Sequence, residues 1–251
     1  MKTEPSSDLE KTMTPTIFLP GLICDAAVWS EQTDFFARQG ISSQVIDYGD
    51  ANSLGAMAEI AIAQSPEQFI LIGHSMGGRV AMEVARRAPE RISHLILMDT
   101  GYLPLHNGDA GQHEVSGRLA LLETARQQGM RAMGKVWMLG MVLPEHLQDS
   151  QLCDAILDMI ERKTVQQFEH QQTALIKRPD ATEVLRSLEC PTLFISGDQD
   201  SWSPVERHYE MAELVPGSEV IAIERSGHMC TMEQPQAVNE ALIRWLQANP
   251  V

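Results

Sequence analysis

A pattern of small residues around one serine is the strongest chemical signal in this chain. The run GHSMGG at residues 73–78 contains the pattern G-x-S-x-G, and it lies between an apolar run that ends at Ile72 and a segment with helical spacing. A serine held on such a tight turn needs small neighbours, because a side chain at Gly73 or Gly77 would meet the adjacent strand or helix. The pattern therefore predicts that Ser75 is a nucleophile at a strand–turn–helix junction.

His228 is the histidine best placed to activate this serine. A serine hydroxyl is a poor nucleophile at neutral pH, so it needs a base within hydrogen-bond reach and a third group that orients the base. His228 follows the apolar run Val220–Ile223 through a short loop. This position puts it at the carboxyl end of a late strand, where chemistry gathers in open parallel sheets.

Three aspartates compete for the orienting role. Asp198 and Asp200 follow the apolar run Thr192–Ile195, and Asp99 ends an earlier run. The chain order serine, aspartate, histidine suits the strand–turn–helix serine pattern, but spacing alone does not choose between Asp198 and Asp200. The aspartates that do not act in this way are expected to cap turns or helices.

Two backbone N–H groups are predicted to bind the oxyanion that forms when the serine attacks. One belongs to the residue after the nucleophile, which is Met76, and the other to the loop after the first strand. Pro20-Gly21-Leu22 follows the apolar run Thr16–Leu19, and Gly21 lets the backbone approach closely. Leu22 is therefore the predicted second donor.

The apolar runs alternate with helical patterns, which predicts a doubly wound α/β fold with a mostly parallel sheet of about six strands. The strand-length runs are Thr16–Leu19, Gln44–Ile46, Phe69–Ile72, His94–Met98, Thr192–Ile195 and Val220–Ile223. The helical patterns are Trp29–Arg38, Leu54–Ala63, Met76–Ala88, Pro204–Leu214 and Ala237–Gln247.

The alternation stops after Asp99 and resumes near Thr192, a stretch too long for a simple loop. We expect a polar, mobile leader at residues 1–13, a core of residues 14–101 and 190–251, and an inserted helical cap, or lid, at residues 102–189. The predicted cap helices are Arg118–Gln128, Met130–Leu139, Ser150–Lys163 and Val165–Ile176.

Several residues near these positions are candidates to line a substrate pocket, with ordinary core packing as the alternative. Cys24 and Cys230 each lie two residues beyond a predicted site position, and all four cysteines are expected to be free thiols. The adaptable side chains of methionines cluster in the predicted cap. The predicted pocket residues are Cys24, Trp202, Met229 and Met138.

The charge and hydropathy of the chain restrict its partners. A net charge of −15 is spread along the sequence and repels polyanions, so we expect no nucleic acid partner. We see no secretory signal or membrane-spanning run, and no cluster with metal-ligand spacing. We therefore expect a cytoplasmic protein with no cofactor, no metal and no membrane contact. We expect its partner to be a small-molecule acyl substrate and the protein itself to be a monomer or homodimer.

The motifs together resemble the α/β-hydrolase superfamily, specifically its serine-nucleophile, esterase-like members with a helical cap. The matching segments are GHSMGG, LPGLICDAAVW, PTLFISGDQD and SGHMCTMEQP, in the family's order. The family's G-x-x-D pattern falls on residues 197–200, which implies that Asp200 is the triad acid. Many members have His-Gly where this chain has Pro20-Gly21, but the glycine is retained.

The resemblance leaves several reactions open. Related triads serve esterases, lactonases, thioesterases and carbon–carbon bond hydrolases. Relatives that cleave epoxides or haloalkanes use a carboxylate nucleophile, which a serine at position 75 excludes. We expect an enzyme that cleaves a carboxylic ester through an acyl-enzyme; the alternatives are the other hydrolytic reactions and a slow-turnover ligand sensor that signals through its cap.

Four arginines of the cap region are candidates to pair with a carboxylate on the substrate. Exposed arginines on helix faces are more commonly solvated, which is the alternative. The four are Arg118, Arg126, Arg131 and Arg178.

Overall fold

A single sheet of six strands forms the centre of the protein. The computed structural model describes residues 14–250, so the predicted leader at residues 1–13 lies outside the described residues. All strand pairs are parallel, and the strand order is β2-β1-β3-β4-β5-β6. The strands are β1 (Thr16–Leu19), β2 (Ser43–Val45), β3 (Phe69–His74), β4 (Ile92–Met98), β5 (Thr192–Gly197) and β6 (Glu219–Ile223).

Helices cover this sheet and fill the long segment between β4 and β5. No helix among residues 14–250 is long and apolar enough to span a membrane. The helices are α1 (Ser30–Arg38), α2 (Leu54–Gln64), α3 (Met76–Arg87), α4 (Asp109–Gln128), α5 (Met130–Met138), α6 (Ser150–Glu161), α7 (Val165–Ile176), α8 (Thr182–Arg186), α9 (Val205–Glu213), α10 (Cys230–Glu233) and α11 (Pro235–Ala248).

The strands are buried because their apolar runs are covered on both faces. Every residue of β1, β3 and β5 is buried, which is the expected pattern for the inner strands of a doubly wound sheet. The parallel register pairs Leu19 with Gly73 and His74 with Met98, so these strands end at a common edge. The predicted doubly wound α/β fold with a parallel sheet of about six strands is confirmed, and the predicted site residues follow strands at this edge.

The first helix after β4 is longer than its sequence pattern predicts. Helix α4 begins at Asp109, nine positions before the predicted start at Arg118, because glycines at 111 and 117 weaken the local helical signal. A side chain at Gly111 would overlap the carbonyl oxygen of His106. An ion pair between Glu114 and Arg118 at 2.8 Å, one turn apart, supports this amino-terminal half.

Two glycines of the serine turn are required by close packing. A Cβ atom at Gly73 would overlap the carbonyl oxygen of Gly77, and one at Gly77 would overlap the carbonyl oxygen of Leu19. Both obstacles are backbone atoms, which cannot rotate away. The prediction that a side chain at either glycine would meet the adjacent strand or helix is therefore confirmed: Gly73 faces α3, and Gly77 faces β1.

Replacing Gly77 with alanine should destabilise the fold by about 3 kcal/mol or more, because the overlap forces α3 away from β1. Urea unfolding, followed by circular dichroism, measures this loss. Gly117→Ala is the matched control: Gly117 is exposed in α4 and has open space around it, so its replacement should stabilise the protein by about 0.5–1 kcal/mol. Equal stabilities for the two variants would contradict this account of the turn.

Candidate active site

Ser75 occupies a strained backbone position between β3 and α3. Its φ of 55° and ψ of −116° lie in a region that non-glycine residues rarely adopt. Two hydrogen bonds hold it there: its N–H donates to Met98 O at 2.8 Å, and Thr100 Oγ1 donates to Ser75 O at 2.7 Å. The surrounding structure thus stabilises a conformation that projects the serine from the sheet edge.

Three predicted residues form a continuous hydrogen-bond chain. His228 Nε2 lies 2.8 Å from Ser75 Oγ, and His228 Nδ1 lies 2.8 Å from Asp200 Oδ2. Both distances suit a base that takes the serine proton while a carboxylate orients its other nitrogen. The arrangement can therefore activate the serine for attack on a carbonyl carbon.

The structure selects Asp200 over Asp198 as the partner of His228. Asp200 Oδ1 accepts the N–H groups of Trp202 at 2.8 Å and Ser203 at 3.0 Å, which leaves Oδ2 for the histidine. Burial opposes ionisation of Asp200, but the charge of His228 and these hydrogen bonds hold the pKa of Asp200 at about 2. Asp198 is exposed and accepts the N–H of Ser226 at 3.2 Å.

Asp99, the third candidate acid, is buried at a different place. Its Oδ1 accepts the N–H of Gly197 at 2.8 Å, and its Oδ2 accepts the thiol of Cys230 at 2.9 Å. Burial, and then the charge of Asp200, raise the pKa of Asp99 to about 8. Asp99 thus links β5, the strand that precedes Asp198 and Asp200, to the segment after His228. No sequence pattern indicates this contact.

The loop after β1 is fixed against the serine turn. A Cβ atom at Gly21 would lie 3.3 Å from Ser75 Cβ, so only a glycine leaves ordinary space here. Ile23 has a φ of 50°, and its N–H donates to Gln171 Oε1 of α7 at 2.6 Å. Within residues 14–250, the N–H groups of Leu22 and Met76 donate to no protein acceptor, so both are available to an oxyanion.

His74, which directly precedes the nucleophile, supports the backbone of His228. Its Nε2 donates to His228 O at 2.7 Å. Burial, and then the charge of His228, lower the pKa of His74 to about 3, so its ring stays neutral. On the other side, the N–H of His228 donates to Met141 O at 2.8 Å, which ties the histidine loop to the segment after α5.

The four predicted pocket residues have different surroundings. The ring of Trp202 lies 5.0 Å from that of His228 and stacks on Trp137 at 5.5 Å. Cys24 borders a cavity of about 380 Å³ between the loop after β1 and the end of α6. Met138 and Met229 belong to the buried core. All four cysteines are free thiols, and Cys24 and Cys230 are the buried ones.

The structure divides the four candidate arginines into two pairs. Arg126 and Arg131 form ion pairs with carboxylates that are themselves about half exposed or more. Arg118 and Arg178 instead converge on Glu114, and the side chain of Arg178 is only 6% exposed. Only this second pair has the inward position that contact with a substrate requires.

We expect kcat/KM to fall as the pH is lowered, because only a neutral His228 can accept the serine proton. Burial favours the neutral ring, but the charge of Asp200 and its hydrogen bond outweigh burial and raise the pKa of His228. The midpoint should therefore lie above the ordinary histidine value of about 6.5. Initial rates from pH 5 to 9 with a neutral ester measure it. Thermal unfolding at each pH is the control, and a flat profile down to pH 5.5 with intact fold would contradict the assignment.

Solved structures and curated proteins with related sequences resemble this chain over most of its length. A thermophilic esterase from Thermogutta terrifontis, solved with malate bound, has a TM-score of 0.83 at 26% identity, covering 96% of this chain and 92% of that one. A Rhizobium rhizogenes protein, named as a candidate carbamate hydrolase, is 24% identical over 96% of this chain and 95% of its own length.

A Haemophilus influenzae protein, named as a candidate esterase/lipase, is 29% identical over 72% of this chain. The match spans only 61% of that protein's own length. The sequence model of the alpha/beta hydrolase family matches residues 17–241, which include every residue of the hydrogen-bond chain and all six strands except Thr16, the first residue of β1. This chain belongs to the alpha/beta hydrolase family and is a hydrolase.

Proposed function

We propose that this hydrolase cleaves carboxylic esters through a covalent acyl-enzyme on Ser75. The observation that carries the proposal is the chain of two 2.8 Å contacts from Ser75 Oγ through His228 to Asp200. The relatives named as esterases support it, as does the apolar wall that Trp202 and Trp137 build beside the histidine.

The reaction proceeds in two halves. His228 Nε2 takes the proton of Ser75 while Oγ attacks the ester carbonyl carbon, and the N–H groups of Leu22 and Met76 bind the resulting oxyanion. The intermediate then collapses, His228 gives its proton to the leaving alcohol, and the acyl group stays on Ser75. Water, deprotonated by His228, attacks the acyl-enzyme and releases the carboxylic acid.

Asp200 keeps its negative charge throughout this cycle. Its low pKa means that it stabilises the imidazolium form of His228 without taking the proton. The neutral ring of His74 and the carbonyl oxygen of Met141 hold the backbone of His228, so the imidazole needs little rearrangement between the two halves.

A panel of p-nitrophenyl esters of increasing acyl length tests the proposal. We expect hydrolysis that depends on Ser75 and that declines beyond the acyl length which the pocket accepts. The acyl-enzyme itself should be visible by mass spectrometry after rapid acid quenching, as an acyl-sized mass increase on the peptide that contains Ser75. If the folded wild-type protein hydrolyses none of these esters, the proposal of ester hydrolysis is contradicted. That result would favour cleavage of another acyl bond or of a carbon–carbon bond.

A further inference from the structure

An excess of positive charge lies where the inserted helices meet the core. Arg118 and Arg178 contact Glu114 at 2.8 and 2.7 Å, and Arg79 on α3 lies next to them, because Arg79 Nη1 and Arg178 Nε both donate to Leu103 O, at 2.9 and 3.3 Å. Arg207 on α9 lies beside Arg79, since a Cβ atom at Gly101 would contact both side chains. Within residues 14–250, neither Arg79 nor Arg207 has a carboxylate oxygen within 4.0 Å. One carboxylate therefore faces four guanidinium groups, in a protein whose net charge is −15.

A buried amide beside this cluster has a donor without an acceptor. Gln172 is only 2% exposed, and its Oε1 accepts Arg118 Nη1 at 2.8 Å. Its Nε2 has no hydrogen-bond partner among the described residues. Because an unpaired buried donor is costly, this amide points to an acceptor that binds next to Arg118.

The cluster adjoins the candidate active site. Arg79 follows Ser75 by one turn of α3, about 6 Å along the helix axis, and its backbone nitrogen lies 3.4 Å from Ser75 O. On the opposite side, Gln171 precedes Gln172 and binds the N–H of Ile23 in the loop that carries Leu22. The segments that carry Arg79 and Gln172 therefore adjoin the serine turn and the loop that carries Leu22.

Among the described residues, the guanidinium groups of Arg79 and Arg207 donate to carbonyl oxygens, Leu103 O at 2.9 Å and Trp202 O at 2.8 Å, and not to a carboxylate. Burial, and then the charge of Arg178, lower the pKa of Arg79 to about 9. A bound anion would relieve this repulsion. The planar guanidinium groups suit the two oxygens of a carboxylate, and the amide of Gln172 adds a third donor.

We propose that Arg79, Arg118 and Gln172 bind a free carboxylate of the substrate, so that the preferred substrates are monoesters of dicarboxylic acids. This inference rests on the proposed esterase function. The carboxylate would orient the acyl chain from beside the serine turn, with the ester carbonyl at Ser75 and the oxyanion at Leu22 and Met76.

Two methyl esters of equal chain length test the inference. Monomethyl glutarate ends in a carboxylate, and methyl pentanoate ends in a methyl group. We expect the wild-type protein to show at least a tenfold higher kcat/KM for the glutarate ester, mainly through KM. Arg79→Met and Gln172→Leu should each lower that ratio, the first by about 10- to 100-fold as for a charge-assisted hydrogen bond. Arg126→Ala, on the exposed face of α4, is the matched control and should change neither rate.

A binding measurement separates this inference from the esterase proposal. Free glutarate should raise the Tm of the wild-type protein and of Ser75→Ala equally, and it should not raise the Tm of Arg79→Met. If neither ester is hydrolysed while this pattern holds, the esterase proposal fails and the carboxylate site stands. A wild-type ratio near one, a glutarate shift retained in Arg79→Met, or stabilisation by inorganic phosphate but not glutarate would overturn the carboxylate site.

Discussion

Replacing Ser75 with alanine should lower kcat for p-nitrophenyl butyrate by about 10⁴-fold or more, because no other group can form the acyl-enzyme. The strained backbone at position 75 is held by bonds to Met98 and Thr100 that use main-chain atoms of Ser75. The substitution leaves these bonds in place, so we expect the Tm to change little. Initial rates and thermal unfolding of the same preparation measure both effects.

The control for Ser75→Ala is Ser42→Ala, which removes an exposed hydroxyl just before β2. We expect this variant to match the wild-type protein in rate and in Tm. Wild-type turnover by a folded Ser75→Ala protein would refute the nucleophile, and with it the proposed mechanism.

Replacing Asp200 with asparagine should lower kcat by about 10³- to 10⁴-fold, because an amide cannot stabilise the imidazolium and favours the wrong tautomer of His228. The acid limb of the pH profile should also move to lower pH, because the charge of Asp200 raises the pKa of His228. Both effects are measured from kcat and kcat/KM between pH 5 and 9.

Asp198→Asn is the matched control for Asp200→Asn. Asp198 lies two positions earlier in the same loop, is exposed, and uses its Oδ1 only to accept the N–H of Ser226. An asparagine oxygen can accept that bond, so we expect a rate within about threefold of wild type because surface changes of this kind have small effects. Equal losses in the two variants would show that His228 does not depend on the contact with Asp200.

The strands were predictable because a parallel strand that is buried on both faces has a continuous run of apolar residues in the sequence. The observed β1 coincides with its predicted range, and the bounds of the others differ by only one or two residues at either end. Helix α4 extends further than predicted because contacts with the chain before it and with Arg178 compensate for its glycines. The short helices α8 and α10 have too few residues to show a period.

The sequence by itself determined the serine turn, the order of the candidate triad and the sheet edge at which its members meet. Each depends on short-range features: glycines next to a serine, or a polar residue after an apolar run. The resemblance to a family, rather than spacing, singled out Asp200 before any geometry was known.

Only the tertiary structure decided which polar groups meet across the fold. Asp99 meets Cys230, and Gln171 meets the loop after β1 across 148 positions of sequence. Arg178 reaches Glu114 across 64 positions, which separates it from Arg126 and Arg131, whose carboxylate partners are about half exposed or more. Such pairs follow no local period, because the packing of distant helices against the sheet sets their distances.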